Sequence, residues 1–258
     1  MKKFTKLTAF ALALVMALGL LAGCGSSNSD TNTSGDDAAK TKLVVATSPD
    51  FPPFESLEGG EVVGIEVDIL NKVAEKMGME LDIQQMDFDS VIPGVQAGKF
   101  DVGMSGITAT DKRKENVDFS SVYFMAAQAI VVTADSGITG KADLEGKKVS
   151  VQTGTTAEEY CMGNGYEVLA FTANNDAAAA LTSGKVDAWV VDNEVALAMA
   201  PELGLTVLDE AMTSEPYAFA FQKGSELVTP FNEALDALLS DGAVEQIFQQ
   251  YGVTYIAP

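Results

Sequence analysis

The segment GITATDKRKENVDFS, residues 106–120, places Arg113 beside groups that suit an anionic ligand. A small turn that carries hydroxyl groups, Ser105-Gly106-Ile107-Thr108, precedes the arginine. A guanidinium is a planar fork of donors that matches a carboxylate, and Thr110 is placed to cap a short helix over residues 111–115. The segment therefore predicts a carboxylate-binding arginine. Taken alone, DKRKE also fits an exposed helix on which Arg113 is a solvated charge.

Two features further along the chain would complete such a site. Thr156-Ala157-Glu158-Glu159 matches a capping box, and a helix N-terminus offers free N–H groups to an anion. Asp192 ends the apolar run AWVV (188–191) and could pair with a cation. A ligand with both a carboxylate and an ammonium group would satisfy all these groups, which describes an α-amino acid. Each feature alone also fits an ordinary helix cap.

The elements that must position these groups alternate between strand and helix patterns. We predict strands over 42–46 and 81–85, a proline-rich loop over 47–54, a helix from Asp68 to Gly78 and a helix over 89–97. Residues 229–252 predict two helices separated at 240–242, the first with Thr229 as N-cap and Pro230 at its first position.

A repeat suggests that the chain contains two similar α/β halves. GKFDV (98–102) resembles GKVDA (184–188), and KLVVATSPDF (42–51) resembles KKVSVQTGTT (147–156). Open parallel sheets bind ligands at the carboxyl ends of their strands. Four stretches are thereby predicted to converge on one cleft: 48–51, 105–113, 152–156 and Asp192. Residues 133–137 and 213–217 are candidate crossings between the halves.

Composition excludes several classes of protein. The chain has 37 acidic residues, 16 Lys and Arg and no His, for a net charge of −21. Such a chain is a poor partner for nucleic acid, whose phosphates require Lys and Arg. The two cysteines, Cys24 and Cys161, exclude a disulfide framework. We expect Cys161 to be a small buried hydrophobe, because without His no Cys–His pair exists.

The N-terminus predicts export and anchoring. Lys2, Lys3 and Lys6 precede an apolar run over 7–22 that closes on Leu21-Ala22-Gly23-Cys24, the order of a secretory signal (1–23) with a lipidation site at Cys24. Acyl chains on Cys24 would hold the protein at the outer face of a membrane. Residues 24–41 lack aromatic and large aliphatic side chains and predict a flexible tether.

Five stretches together resemble one family, the polar-amino-acid substrate-binding proteins of ABC importers. They are GEVVGIEVDIL (60–70), DSVIPGVQAGKFDVGMSGITATDKRKENVDFS (89–120), QTGTTAE (152–158), SGKVDAWVVDNEVA (183–196) and DGAVEQIFQQYG (241–252). The resemblance implies an α/β, two-lobed periplasmic-binding-protein fold of type II, with a mostly parallel sheet flanked by helices in each lobe and two hinge crossovers. Lobe 1 would comprise 42–124 and 218–258, and lobe 2 would comprise 125–217. It also implies a monomer without cofactor or metal that works with permease subunits.

The resemblance also assigns roles to individual residues. Arg113 would bind the α-carboxylate, with the backbone N–H groups of Thr108 and Thr156. Asp192 would bind the ammonium, with the Gly106 carbonyl, the Thr108 hydroxyl and Ser105 beside them. Phe51 would stack on the ligand side chain, with Ser48, Phe88 and Gln152 lining that region. Relatives that take basic amino acids carry an acid at the position of Ser48, and those that take glutamine carry a lysine at the position of Gln152. We therefore predict a neutral ligand side chain.

Two rival functions share much of this sequence pattern. An enzyme is disfavoured because the chain has no His and no phosphate loop, and because Gly103-Met104-Ser105-Gly106-Ile107 lacks the second Gly of a nucleophile elbow. Some proteins of this fold are dehydratases. A sensor for a membrane receptor would bind its ligand with the same chemistry as a transport protein, so the sequence does not separate the two.

Overall fold

The structure is a computed structural model that describes residues 41–258. The predicted signal segment, Cys24 and the tether up to residue 40 lie outside the described residues. The strands are β1 (Lys42–Thr47), β2 (Asp50–Phe51), β3 (Glu55–Glu58), β4 (Glu61–Val63), β5 (Glu80–Gln85), β6 (Val102–Gly103), β7 (Val117–Phe119), β8 (Phe124–Ala126), β9 (Gln128–Val132), β10 (Lys148–Gln152), β11 (Glu167–Phe171), β12 (Ala188–Asp192), β13 (Thr206–Val207), β14 (Glu215–Tyr217) and β15 (Ala220–Gln222). The helices are α1 (Ile65–Met77), α2 (Phe88–Gln96), α3 (Asp111–Lys114), α4 (Thr156–Gly163), α5 (Asn174–Thr182), α6 (Asn193–Met199), α7 (Val228–Ser240) and α8 (Ala243–Gln250).

Two five-stranded sheets form the centres of two lobes. The first sheet has the order β5-β1-β6-β15-β7 and the second has the order β11-β10-β12-β9-β13. In each sheet the first three strands are parallel, and strands returning from elsewhere in the chain pair antiparallel with them. Parallel strands need crossover connections, which α1, α2, α4 and α5 supply. The two α/β halves predicted from the repeat are therefore present.

The repeated GKxD motif has the same structural role in both sheets. Gly98 and Gly184 follow helices α2 and α5 with φ of 69° and 71°, the left-handed region in which Gly has no steric penalty. Asp101 accepts a hydrogen bond from the backbone N–H of Val44 at 2.8 Å, and Asp187 accepts one from Lys148 at 2.8 Å. Each aspartate thus ties the third strand of its sheet to the second strand, near the start of that second strand.

The chain crosses between the two sheets along a pair of short antiparallel strands, β8 and β14. The predicted crossing at 213–217 coincides with β14, but the one at 133–137 is wrong. That segment follows β9, which already belongs to the second sheet. The crossing occurs earlier because β8 pairs with β14 immediately before β9 begins. Phe124 of this pair stacks on Phe248 of α8, with ring centroids 4.5 Å apart.

Helix α1 begins three residues before the predicted start at Asp68. Its first N–H groups are satisfied by the proline-rich loop: Ile65 donates to the carbonyl of Pro53 at 3.0 Å, and Glu66 donates to Phe54 at 3.1 Å. The preceding Gly64 lies so close to Phe54 that a Cβ would fall 2.1 Å from its carbonyl oxygen. A start capped by distant backbone carbonyls has no side-chain capping signal, which explains the wrong prediction.

Two other predicted caps are displaced. Thr155, and not Thr156, caps α4, because its hydroxyl accepts from the N–H of Glu158 at 3.2 Å. Helix α7 begins at Val228 with Leu227 as its N-cap, so Thr229 and Pro230 lie inside the first turn. Helix α3 follows the prediction, since Thr110 accepts from the N–H of Arg113 at 3.2 Å.

Cys161 lies on the inner face of α4 and is fully buried among apolar side chains of the second sheet, including Val149 and Val151. Burial raises the pKa of its thiol to about 12, so the reactive thiolate is scarce at neutral pH. The expectation that Cys161 is a small buried hydrophobe is confirmed.

We expect the peptide that contains Cys161 to resist alkylation by iodoacetamide at pH 8 in the native protein and to react fully in denaturant, because both burial and the raised pKa protect the thiol. Peptide mass spectrometry would measure the modified fraction over time. Alkylation of the native protein at the rate of a free cysteine would contradict this packing.

Candidate ligand-binding site

A cavity between the two lobes contains nearly all the predicted site residues. About 350 Å³ of space lies between its lining atoms, part of it open to solvent, and about 20 Å³ of that space is accessible to a water-sized molecule. Its lining residues are Phe51, Phe88, Ser105, Gly106, Thr108, Arg113, Gln128, Gln152, Thr155, Thr156, Ala157, Asn174, Val190, Val191 and Asp192. Of the ten predicted ligand contacts, Ser48 alone is not part of this lining.

Arg113, the only arginine in the chain, reaches from α3 into the cavity. One guanidinium nitrogen donates to the carbonyl of Thr108 at 3.0 Å, and the other donates across the cleft to the carbonyl of Gly154 at 3.1 Å. The guanidinium carbon lies 5.7 Å from the centroid of the Phe88 ring, within cation–π range. These neutral partners orient the group without neutralising its charge.

None of the ion pairs among residues 41–258 involves Arg113. Burial lowers its pKa, and the carboxylates of Glu159, Glu215 and Asp192 act in the opposite direction from a distance. A partly desolvated guanidinium that has only carbonyl partners gains strongly from a carboxylate. The position therefore favours an anionic ligand over a structural role.

Backbone donors stand on both sides of Arg113. Thr108 and Tyr217 form an isolated antiparallel β-bridge. Its hydrogen bonds come from the N–H groups of the next residues, Ala109 and Ala218. The N–H group of Thr108 itself takes no part in the bridge. Thr156 is the first residue of α4, where N–H groups have no acceptor within the helix. Because Thr155 performs the capping, the Thr156 hydroxyl is available to accept from Gln128 at 3.2 Å.

Asp192 ends β12 with its side chain buried in the cavity wall. One carboxylate oxygen accepts from the Gln128 side-chain amide and the other accepts from the hydroxyl of Tyr217. Because Gln128 turns its nitrogen toward Asp192, its buried amide oxygen has no hydrogen-bond partner among the described residues. An ammonium group has three N–H donors and could donate both to this carboxylate and to this amide oxygen.

Burial raises the pKa of Asp192 well above its ordinary value, and the nearby carboxylates of Glu215 and Glu194 add to the rise. The hydrogen bond from Tyr217 and the more distant Arg113 act in the opposite direction. No lysine or arginine of residues 41–258 forms an ion pair with Asp192. A cation bound beside Asp192 would favour its charged form.

Phe51 and Gly106 form a close contact on the floor of the cavity. Gly106 has φ of +53°, and a Cβ on it would lie 2.4 Å from Cε1 of Phe51. Only glycine permits both this backbone conformation and this approach of the ring. The ring of Phe51 is 8% exposed and borders the cavity beside Gly106.

The predicted side-chain pocket differs from expectation at Ser48. Its hydroxyl donates to Asp50 at 3.0 Å and lies behind the cavity lining. Asp50 also accepts from Gln152 at 3.2 Å and from the backbone N–H of Asn174 at 2.7 Å. Gln152 therefore links the two lobes through Asp50, and its remaining oxygen accepts from the Asn174 amide at 3.0 Å.

Several residues of this arrangement escaped the sequence analysis. Gln128 and Asn174 line the cavity, and Asp50 and Tyr217 hold lining side chains in place. The available signal for Gln128 was a polar residue directly before the apolar run 129–132, and for Asn174 it was a polar residue shortly after the apolar run 168–171. For Tyr217 no local signal exists, because its partner Asp192 comes from a different strand.

Comparison with known proteins identifies a family. The sequence profile of the bacterial extracellular solute-binding proteins, family 3, matches residues 43–254. The arginine-binding extracellular protein ArtP of Bacillus subtilis is 36% identical over 239 residues, covering 90% of this chain and 92% of ArtP.

Solved structures show the same similarity. An ancestral arginine-binding protein, solved with glutamine and with arginine, is 40% identical with TM-scores of 0.78 and 0.77, covering 82% of this chain and 98% of the other. The ancestral amino-acid-binding protein AncCDT-1, a precursor of cyclohexadienyl dehydratase, is 34% identical with a TM-score of 0.76, covering 82% of this chain and 95% of the other.

Two lobes around a polar cavity, joined by two crossing strands, define a binding protein with the type II periplasmic-binding-protein fold, so the fold prediction is confirmed. The sheets are mixed and not mostly parallel, because two of the four strand pairings in each are antiparallel. The chain belongs to the bacterial extracellular solute-binding proteins, family 3. ArtP and the ancestral protein named above are both amino-acid-binding proteins. Within residues 41–258, no helix is both long and apolar enough to cross a bilayer.

We expect Gly106→Ala to weaken amino-acid binding about tenfold or more, because the added methyl group displaces the Phe51 ring at the cavity floor. Isothermal titration calorimetry would measure the affinity. Gly137→Ala is the matched control, since Gly137 has a similar φ of +71° but open space around it. Both variants would lose some thermal stability from backbone strain. Equal affinity in the two variants would contradict the proposed contact.

Proposed function

We propose that this protein captures a free α-amino acid between its lobes and delivers it to an ABC importer. The observation that carries the proposal is the pair of desolvated charges, Arg113 and Asp192, which line one cavity without an ion-pair partner among residues 41–258. A zwitterion supplies the missing counter-charge to each. We propose Arg113, Thr108 and Thr156 as the carboxylate subsite.

The ammonium subsite comprises Asp192, the Gly106 carbonyl, the Thr108 hydroxyl and the orphaned oxygen of Gln128, with Ser105 beside them. Hydrogen bonds to charged groups contribute about 1.5–3 kcal/mol each. Since Arg113 belongs to the first lobe and Asp192 to the second, a ligand that contacts both stabilises only the closed arrangement. Such differential contact is what shifts an open–closed equilibrium.

Contacts across the cleft support a closing motion. The guanidinium of Arg113 reaches Gly154, the amide of Gln152 reaches Asp50, and Lys112 pairs with Glu159 at the exposed rim. We propose lobe boundaries at 124/125 and 217/218, which place β8 and β14 at the hinge. The strand pair would then bend as the lobes separate.

For the ligand side chain, our first candidate is neutral, as Ser48 and Gln152 carry no charge. Phe51 and Phe88 supply apolar walls, and the Gln152–Asn174 pair supplies polar ends. The second candidate is a cationic side chain. It is favoured by Asp50, whose carboxylate accepts only from neutral donors, and by the names of arginine-binding relatives. L-Glutamine and L-arginine represent the two candidates.

The remaining parts of the proposal concern location and partners. We propose that residues 1–23 are removed, that lipidated Cys24 anchors a monomer at the outer face of the membrane, and that residues 24–41 let the lobes reach the permease. Removal of the three signal lysines would change the net charge from −21 to −24. A sensor role remains the alternative, and neighbouring permease and ATPase genes would favour transport.

An enzyme of the dehydratase type is the less favoured alternative. The titratable groups of the cavity lining are Arg113 and Asp192, and both already have binding roles in the proposal. Mass spectrometry of a bound amino acid after long incubation would detect turnover as a change of mass.

We expect a thermal-shift screen of the twenty amino acids to raise the melting temperature for a small set that includes L-glutamine or L-arginine. Arg113→Ala should abolish the shift. Arg113→Lys should weaken affinity at least tenfold, because lysine keeps the charge but loses the bidentate geometry. Without ligand, Arg113→Ala should change the melting temperature by less than about 4 °C. A larger loss without ligand would mark Arg113 as a structural residue.

Asp192→Asn should abolish binding yet stabilise the ligand-free protein at pH 8. Burial raises the pKa of Asp192 in the folded state, so the folded state binds more protons than the unfolded state between the two pKa values. Stability therefore falls as the pH rises through that interval. Asparagine cannot ionise, so the variant does not lose stability in this way. The difference in stability between the variant and the wild type should vanish near pH 4, close to the pKa of aspartate in the unfolded chain.

Calorimetric melting of both proteins from pH 4 to pH 8 would measure this difference. In the wild type, amino-acid affinity should strengthen over the same interval as Asp192 ionises. A variant that is less stable than the wild type at pH 8, or that retains binding, would contradict the role of Asp192.

A further inference from the structure

We propose that Glu55 and Glu66 share one proton directly beneath the cleft, and that this hydrogen-bonded pair positions the Ser105–Gly106 turn against the ligand. The role in binding rests on the proposed function, whereas the shared proton does not. Both side chains are completely buried. They come from β3 and α1, and neither lines the cavity itself.

Glu66 is the acceptor of the pair. One of its oxygens accepts from the backbone N–H of Gly106 at 2.9 Å, and the other accepts from the hydroxyl of the fully buried Tyr123. Both donors point at carboxylate oxygens, and each oxygen keeps a lone pair that can accept a further hydrogen bond. This hydrogen bond fixes the orientation of the Ser105–Gly106 peptide group, and Gly106 is the residue that faces Phe51.

Glu55 is the member that holds the proton. One oxygen accepts from the Ser105 hydroxyl at 3.0 Å, and the other has no hydrogen-bond partner among the described residues as long as Glu55 is ionised. The two glutamates are neighbours, because they bind the consecutive residues Ser105 and Gly106, and Glu66 is the carboxyl group with the largest effect on Glu55. A proton on the orphaned oxygen of Glu55 satisfies it by donation to Glu66.

The surroundings make two charges unfavourable. The titratable groups that act on Glu55 are Glu66 of α1 and Asp50 of β2, and those around Tyr123 include Glu66 and Asp192. No lysine or arginine of residues 41–258 forms an ion pair with either glutamate. Burial first, and the neighbouring carboxylates second, raise the pKa of Glu55. Burial beside other carboxylates therefore favours the protonated form of Glu55.

The pair acts on the ligand through Ser105 and Gly106. The Ser105 hydroxyl, while donating to Glu55, accepts from the backbone N–H of Ser48 at 3.1 Å, so the pair also ties the turn to the end of β1. Glu55 and Glu66 are thus positioning residues that hold the expected ammonium acceptor, the Gly106 carbonyl, in a fixed direction.

Glu55→Gln and Glu66→Gln form a matched pair of variants that test the assignment. Glutamine at 55 supplies the same acceptor to Ser105 and a permanent donor to Glu66, so affinity for L-glutamine or L-arginine should stay within about threefold of wild type. Glutamine at 66 replaces one carboxylate oxygen by an N–H group. That group would face Gly106, Tyr123 or protonated Glu55, which are themselves donors to Glu66 in the proposed arrangement. Affinity should therefore weaken at least tenfold.

Two readouts on ligand-free protein test the proton itself. Burial raises the pKa of Glu55 in the folded state, so stability falls as the pH rises through that value. This alkaline decline of the melting temperature should be smaller in Glu55→Gln. Infrared difference spectra at pH 8 should show a protonated carboxyl band in Asp192→Asn that is missing in Asp192→Asn/Glu55→Gln. The Asp192→Asn background removes the carboxyl group of the cavity lining, whose pKa is also raised.

The outcomes are separable from the proposed function. If the wild type binds neither amino acid, the proposed function fails, while the infrared and melting readouts still test the carboxyl pair. Buried Glu194 also has a raised pKa and could contribute a band of its own, so the pair assignment is overturned if the protonated band is undiminished in the double variant, or if Glu55→Gln keeps the alkaline decline of the wild type. Its positioning role is overturned if Glu66→Gln folds and binds as tightly as the wild type.

Discussion

Two opposite charges held out of water without counter-ions constrain the whole arrangement. Transfer of a guanidinium or a carboxylate into a protein interior is costly unless polar partners compensate. Here carbonyl groups of Thr108 and Gly154 compensate Arg113, and the Gln128 amide and the Tyr217 hydroxyl compensate Asp192. Neutral partners reduce the cost without cancelling the charge, which leaves each group ready for an ionic ligand.

The duplicated architecture explains how such a site can be built and filled. Each sheet has polar residues at the ends of its parallel strands, and a GKxD motif in each half ties the third strand of the sheet to the second. With one charge on each lobe and only two strands connecting the lobes, the charges can be hydrated when the lobes separate. The desolvation cost would then be incurred only as the ligand replaces the water, which couples recognition to closure.

The polar network extends one layer behind the cavity wall. Asp50 collects donors from both lobes, and the glutamates of β3 and α1 hold the Ser105–Gly106 turn from below. Buried networks of this kind fix one arrangement because any partly satisfied alternative leaves a polar atom without a partner. The site is therefore as much a property of these supporting side chains as of the residues that would touch a ligand.

Local sequence patterns determined the strand and helix types, the two α/β halves and the residues Arg113, Asp192 and Gly106, since periodicity, glycine stops and strand ends are readable over short windows. Tertiary structure alone decided the rest. The start of α1 depends on carbonyls of a distant loop, the first crossing depends on pairing between β8 and β14, and Ser48 lies behind the wall because Asp50 accepts its hydroxyl. Glu55 and Glu66 are two of 37 acidic residues. Only burial beside each other gives them a chemistry that the others lack, because a shared proton requires low dielectric and direct contact between side chains of two different elements, β3 and α1.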